Sequence, residues 1–404
     1  MSEAEKGGYV ALLRLSVPRR LALASVPADF ADWLDYAAIV ALLAFGWNEG
    51  PFALALFALA LTLPYILVGP FLAVIVDRAP TRAVLVLSNL GRAIVTLSFA
   101  FASDTALLLA LVFVRGAVDS AFTPGRQAAI QASTPEHLRG VANGLHQAIN
   151  QTSKIAGPAL GGILLAFLAP QQVFMLNALL SLIAAGIALT VFLPPRTESA
   201  AERGKFFTES LVGISEFRRK RPLLVALIFS ACAYFAFFLY DALLALLAGE
   251  LGFDATAFGL SISASGLGGL IGALMAGRVS GARPMLTMSS AAIISGGTTA
   301  TVSLAASYGW PVPLPLFLLV LCFMGGATAF MLVPYRTVIQ AEAPADRIAR
   351  VYAAGEAVIT LTMLSAPLIG SFVAERFGTP VAFLAGGLLL IVLGAVTLAS
   401  RGDA

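Results

Sequence analysis

Apolar runs long enough to cross a bilayer recur along this chain from Leu21 to Ser400. A helix needs about 20 predominantly apolar residues to span hydrocarbon, and only helices or closed barrels satisfy their own backbone polar groups there. The runs predict spans over residues 21–46, 51–75, 83–103, 105–124, 140–166, 172–193, 222–248, 256–277, 284–305, 312–334, 351–374 and 379–399. Only 12% of the residues are charged, against roughly 25% in soluble domains, so a water-soluble core is excluded. The expected fold class is an all-α membrane protein with twelve transmembrane helices. The basic N-terminal segment has no small-residue cleavage site after its apolar run, so that run reads as a retained first span.

The chain repeats itself. PGRQAAIQASTPEHLRGV at Pro124 lines up with PYRTVIQAEAPADRIARV at Pro334, FADWLDYA at Phe30 with FAFFLYDA at Phe235, and AVIVDRAPTR at Ala73 with ALMAGRVSGAR at Ala273. Weak internal symmetry of this kind marks a duplicated transporter, here two pseudo-symmetric six-helix bundles. Residues 1–193 and 222–404 are the expected bundles, joined by a cytoplasmic linker over 194–221. The linker's KFFTESLVGISEFRRK is weakly amphipathic and reads as a helix on the inner membrane surface or a solvated one. With the N-terminus inside, 21 of the 25 Lys and Arg fall on inner segments, three (Arg92, Arg115, Lys154) inside spans, and only Arg376 outside. That bias places both termini in the cytoplasm of a plasma membrane.

The candidate functional residues are those that hydrocarbon tolerates least. Asp29, Asp32 and Asp35 recur every three residues along one slowly drifting face of the first span. A carboxylate at mid-bilayer costs roughly 3 kcal/mol on insertion scales, so these acids should face a water-filled cavity, exchange protons, or pair with Arg92, Arg115 or Lys154. Arg115 and Asp119 stand one turn apart and can neutralise each other, with Arg115 the candidate for coupling to the span 1 acids. His146, Asn150 and Lys154 form an i, i+4, i+8 stripe beside Gln151, and Glu356 is the repeat counterpart of His146. Proton coupling or polar helix packing both suit that stripe. Asp241 is the second-half counterpart of the Asp35/Tyr36 pair and a candidate cavity acid. Trp33, Phe238 and Tyr240 belong to an aromatic crowd on spans 1 and 7 that faces neighbours or lines a pocket for lipophilic or cationic substrates.

No Walker-type loop, zinc spacing or nucleophile with a base partner occurs, and the two cysteines, Cys232 and Cys322, lie in apolar segments. Neither an enzyme nor a cofactor is expected, and nothing points to nucleic acid.

VDRAPTR at Val76, LVFVRGAVDS with Arg115 in span 4, and Gly144 followed by GPALGG at Gly157 resemble motifs of the major facilitator superfamily, in order and over essentially the whole chain. PGRQAAIQASTPEHLRGVAN and SVPADFADWLD resemble its drug-exporter branch, which includes macrolide effluxers and enterobactin exporters. The resemblance implies a secondary transporter working by alternating access, functional as a monomer, with small-molecule substrate, protons and the lipid bilayer as partners. It further implies a cytoplasmic gate at Asp77, Arg78 and Arg82 and an antiporter motif at Gly144, Gly157, Pro158, Gly161 and Gly162, hence proton-coupled efflux of lipophilic or amphiphilic molecules. Uptake of a polar or zwitterionic metabolite, lysolipid flipping and a non-transporting membrane sensor are the alternatives.

Overall fold

The computed structural model of the chain describes residues 3–193, 215–279, 284–344 and 348–399, and every regular element among them is helical. By internal contacts the chain divides into two compact units, Met1–Leu43 with Leu56–Ser199, and Ala44–Ala55 with Ala200–Ala404.

The first unit holds α1 (Glu3–Arg14), α2 (Ser16–Trp33), α3 (Tyr36–Ala41), α4 (Pro51–Leu67) from Leu56 onward, α5 (Gly69–Arg78), α6 (Thr81–Phe99), α7 (Thr105–Ser133), α8 (Arg139–Leu164) and α9 (Pro170–Leu189). The second holds α10 (Arg221–Asp241), α11 (Leu244–Glu250), α12 (Ala255–Val279), α13 (Pro284–Ser307), α14 (Leu314–Glu342), α15 (Ile348–Phe377) and α16 (Thr379–Ala399). Among the described residues nine helices are long and apolar enough to cross a membrane. The other three predicted spans are helical too, as α2 with α3, α8 and α13, but their side chains dilute the apolar signal. α2 and α8 carry acids, amides and a lysine, while α13 is rich in hydroxyls that bond back to carbonyls of their own helix, as Thr299 does to Ser295.

Each unit buries its own core. In the first, Leu21, Ala28, Leu85, Phe122, Ile130 and Ala184 meet between α2, α6, α7 and α9. In the second, Leu223, Phe229, Met288, Met331, Tyr335 and Leu390 do the same. Large apolar side chains such as Phe71, Leu87, Ile94, Leu361 and Phe372 are left exposed, the arrangement expected of a surface solvated by lipid.

Two departures from the sequence reading matter for the site. The first span is not continuous: α2 stops at Trp33, Leu34 and Asp35 turn, and α3 resumes at Tyr36 before a π-helical turn over Leu42–Gly46. The second unit breaks at the corresponding place, between Asp241 of α10 and Leu244 of α11. The fourth predicted span, 105–124, also runs on: Pro124 lies inside α7, which ends only at Ser133. Of the predicted linker helix, residues 205–214 lie outside the described residues. Residues 215–219 form one helical turn whose Phe217 is buried in the second unit's core rather than laid on a surface. Lys220 anchors that turn by donating to the Glu342 carbonyl at 2.5 Å, near the end of α14.

Candidate functional site

Three helices of the first unit and the turn after one of them converge on one buried ionic network. α2 presents Asp29 and Asp32 and the turn that follows it Asp35; α6 presents Arg92; α7 presents Arg115, Asp119 and Arg126, a stripe at steps of four and seven that shares a helix face. Arg92 pairs with Asp32, places Nε 2.6 Å from Asp119 Oδ1, and donates to the Ala28 carbonyl at 2.7 Å and Asn89 Oδ1 at 3.3 Å. Arg115 donates to Asp35 Oδ1 at 3.2 Å and to the Ala31 carbonyl at 2.6 Å, and lies 3.8 Å from both Asp32 and Asp119. Arg126 Nη1 meets both oxygens of Asp29 at 2.7 Å.

The break in the first span follows from these contacts. The last carbonyls of a helix lack intrahelical partners. Arg115 occupies the Ala31 carbonyl, which in a continuous helix would accept from the amide of Asp35, and a side chain inserted in that ladder is a recognised cause of interruption. A cation at a helix C-terminus also complements its dipole. α8 packs tightly against the break. A Cβ on Gly157 would stand 2.7 Å from Trp33 Cβ, and one on Gly161 would collide with the Leu34 carbonyl. Pro158 and Gly162 are buried on the same helix.

The charge balance is simple: three arginines oppose four aspartates, leaving one negative charge when all are ionised. By contact the network separates in two. Asp29 and Arg126 balance each other. Asp32, Asp35 and Asp119 share Arg92 and Arg115, so the surplus charge belongs to this group. Within it Asp35 and Asp119 are buried, whereas the Asp32 side chain keeps 21% of its surface. Asp32 is therefore the carboxylate most open to exchange. The Phe122 ring lies between the two groups in sequence and takes cation–π contact from both Arg92 and Arg126, at 5.1 and 5.2 Å.

Arg126 is the residue the sequence reading misplaced, on an inner loop after span 4. The cue was present: 115, 119, 122 and 126 continue one helical stripe through Pro124, which α7 accommodates in its interior. Asn89, which accepts from Arg92, was also missed, since a lone amide in an apolar run carries little signal.

The other candidates fall as follows. His146 is buried with Nδ1 unbonded and sits within the field of Arg126, so it borders the Asp29 group. Lys154 is exposed, its Nζ 5.9 Å from the Trp33 ring. Gln151 and Asp77 have side chains outside the described residues. Arg78 is exposed, and Arg82 stacks on the Phe192 ring at 4.5 Å. Gly144 is exposed near the Tyr9 hydroxyl of α1, which departs from its expected place in a helix-packing motif: α1 covers that turn of α8 instead of another span. In the second unit Asp241 is half-buried at the α10 break, Phe238 stacks on Tyr234 at 6.1 Å, and Glu356 is exposed on α15. Tyr240 is corrected from cavity to core: it is buried, hydrogen-bonded to Thr299 at 3.3 Å and packed on Phe383 at 4.8 Å. In the motif after Pro124, Gln127, Gln131, Arg139 and Asn143 line a cleft of about 480 Å³, and Arg139 caps α7 by donating to the Gln131 and Thr134 carbonyls.

The family model of the Major Facilitator Superfamily matches residues 21–355 and 230–403. The MFS-type transporter YfiS of Bacillus subtilis (strain 168) is 29% identical over 381 residues, covering 93% of this chain and 90% of its own. Macrolide efflux protein A of Streptococcus pyogenes is 23% identical, covering 83% of this chain and 84% of its own. Among solved structures, a bacterial homolog of the human lysosomal transporter Spinster superposes with a TM-score of 0.71 at 14% identity, over 96% of this chain and 97% of that one. The nucleoside transporter NupG does so with 0.72 at 15%, over 95% and 99%. These likenesses carry the helical fold, and the family match spans nearly the whole chain. With its broken first span, buried ionic network and lipid-exposed apolar surface, the chain belongs to the Major Facilitator Superfamily, as a multi-pass membrane transporter resembling the efflux branch.

Proposed function

We propose that this protein is a proton-coupled exporter of lipophilic or amphiphilic small molecules, working by alternating access of two six-helix bundles with both termini in the cytoplasm of a bacterial inner membrane. The observation that carries the reading is the surplus carboxylate of the α2–α6–α7 network and the partial exposure of one member, Asp32. A buried charge cluster with one uncompensated carboxylate has a place for one proton. When Asp32 takes it, its attraction to Arg92 weakens, while Arg92 keeps Asp119, the Ala28 carbonyl and Asn89. Protonation thus loosens α2 from α6 without stripping the arginine of partners. To drive a cycle the proton must bind the two orientations differently, by about 1–3 kcal/mol for ordinary linkage.

In this reading Asp35 and Asp29 hold the frame, Asp77, Arg78 and Arg82 close the cytoplasmic side, and α2 with α3, α8 and α13 complete twelve spans. The macrolide efflux relatives and the Gly157–Gly161 packing motif support export over uptake. One feature favours a second reading, uptake of a zwitterion: exposed Lys154 beside Trp33 offers a cation on the same unit as Asp32.

The test is transport of a fluorescent amphiphile in everted vesicles under an imposed proton gradient. Wild type should accumulate it only with the gradient, and Asp32→Asn should abolish that dependence at unchanged protein level. Equal gradient-driven transport by both would remove Asp32 from coupling, and flux of reversed polarity would favour uptake.

A further inference from the structure

We propose that the second unit holds one anionic phospholipid, its phosphate on Arg218 and Arg221 and an acyl chain in an apolar groove walled by α10, α15 and α16. The inference goes beyond transport, because the lipid is a bound partner of the fold and not its cargo.

Residues 218–221 read Arg-Arg-Lys-Arg and lead directly into α10, a helix apolar enough to span a membrane from Arg221 onward. A run of four basic residues at that boundary stands at headgroup depth and attracts anionic lipid. The turn that carries the run is fixed to the protein: Phe217 is buried in the second unit's core, and Lys220 donates to the Glu342 carbonyl. Two of the four charges have acids, Arg219 at 3.4 Å from Glu216 and Lys220 at 3.8 Å from Glu342. Arg218 and Arg221 are exposed, and among the described residues no acid pairs with either. Guanidinium groups on an anchored turn suit a phosphodiester, whose oxygens match their fork of donors.

Farther along the same helix lies a groove of about 450 Å³, lined by Cys232 and Phe235 of α10, Thr362 of α15, and Leu389, Val392 and Val396 of α16. The Thr362 hydroxyl donates to the Ile359 carbonyl at 2.7 Å, so it is already satisfied within its own helix. Cys232, Leu389, Val392 and Val396 are exposed, so the groove opens on the surface of the unit. A hydrocarbon chain fills such a groove without leaving a polar group unpaired.

Helix register joins the two features. From Arg221 to Cys232 is about three turns and about 16 Å of helix, so both residues lie on one face of α10. Lys220 sets the start of α10 beside the end of α14; α15 leads away from that end, and α16 returns toward it after the turn at Gly378. Val396, near the end of α16, therefore marks the mouth of the groove nearest the arginines. Inorganic phosphate would use the arginines alone, and a neutral apolar molecule the groove alone. A phospholipid uses both, and the bilayer around a multi-pass protein supplies it.

The experiment is native mass spectrometry of the full-length protein in detergent, titrated with phosphatidylglycerol or with phosphatidylcholine of the same acyl chains. Wild type should take up one phosphatidylglycerol saturably and bind phosphatidylcholine about 10-fold more weakly or worse. The double variant Arg218→Gln with Arg221→Gln should bind phosphatidylglycerol no better than phosphatidylcholine. Cys232→Trp, which fills the groove and leaves the arginines in place, should lose several-fold affinity for phosphatidylglycerol, and inorganic phosphate should compete poorly. All three substituted side chains are exposed, and an unchanged lipid-free melting temperature verifies that the variants fold. Equal binding of the two lipids to wild type, or phosphatidylglycerol binding unchanged in either variant, would overturn the site. Displacement of the lipid by inorganic phosphate at comparable concentration would overturn it too, by reducing it to the arginines.

Discussion

Arg126→Ala strands a carboxylate. Asp29 is buried, and its two oxygens share one guanidinium nitrogen at 2.7 Å. Removing one partner of a buried pair typically costs about 3–5 kcal/mol, most of it from the charge left behind. Removing both charges at similar volume costs far less. Arg126→Ala should therefore lower the thermal midpoint of the purified protein strongly, while the double variant Asp29→Asn with Arg126→Gln should recover most of the loss. A recovery no greater than that of Asp29→Asn alone would show that the pair is not a unit. Asp32 behaves differently because Arg92 has other partners, so Asp32→Asn should change coupling and leave the midpoint within about 1 kcal/mol of wild type.

At the scale of elements, two contacts set where helices begin and how closely they approach. Asp104 caps α7 by accepting from the Leu107 amide at 2.8 Å, and Ser103 donates to its other oxygen at 3.0 Å. These bonds, the Leu107 amide foremost, hold its carboxyl below the usual carboxylate range. A depressed folded-state pKa means stabilisation that is complete above the unfolded value of about 3.9 and lost as pH falls through the folded one. The gap in melting temperature between wild type and Asp104→Ala should be constant from about pH 8 to 5 and narrow below about pH 4. A gap that grows on acidification would exclude the cap. The second contact is α8 on the α2 break. Gly161→Ala drives a methyl into the Leu34 carbonyl and should cost about 2 kcal/mol or more, as backbone overpacking does. Gly140→Ala, with nothing within 4 Å, is the matched control and should be neutral or slightly stabilising on the same helix.

At the scale of the molecule, the two units solve one problem in opposite ways. The first buries four acids and three arginines as an electrostatic frame around a broken helix. The second keeps a comparable break at Asp241, around an apolar core of Leu223, Phe229, Met288, Met331, Tyr335 and Leu390. In the proposed reading the surplus carboxylate of the first unit's frame is what takes the proton. The prediction at this scale concerns flux. Wild-type accumulation should collapse when the proton gradient is dissipated, and Asp32→Asn should show the same residual flux with and without it. Gradient-insensitive accumulation by wild type would end the proton-coupled reading.

Fold class, the repeat and the acids of the first span were legible in the residues because hydrocarbon penalises charge and unsatisfied backbone without regard to tertiary detail. Apolar length announced helices, and the scarcity of charge made Asp29, Asp32, Asp35 and Arg115 conspicuous. Arg92 and Arg115 were legible as partners for these acids, but which acid each takes was not, because it depends on which helix faces are brought together. Nothing local to Asp29 names Arg126, 97 positions away, and only the continuation of α7 through Pro124 brings them into contact. The interruption at Leu34 and Asp35 was equally hidden, since neither residue is a helix breaker. It arises because Arg115 of another helix takes the Ala31 carbonyl, a bond that exists only once α2 and α7 are packed.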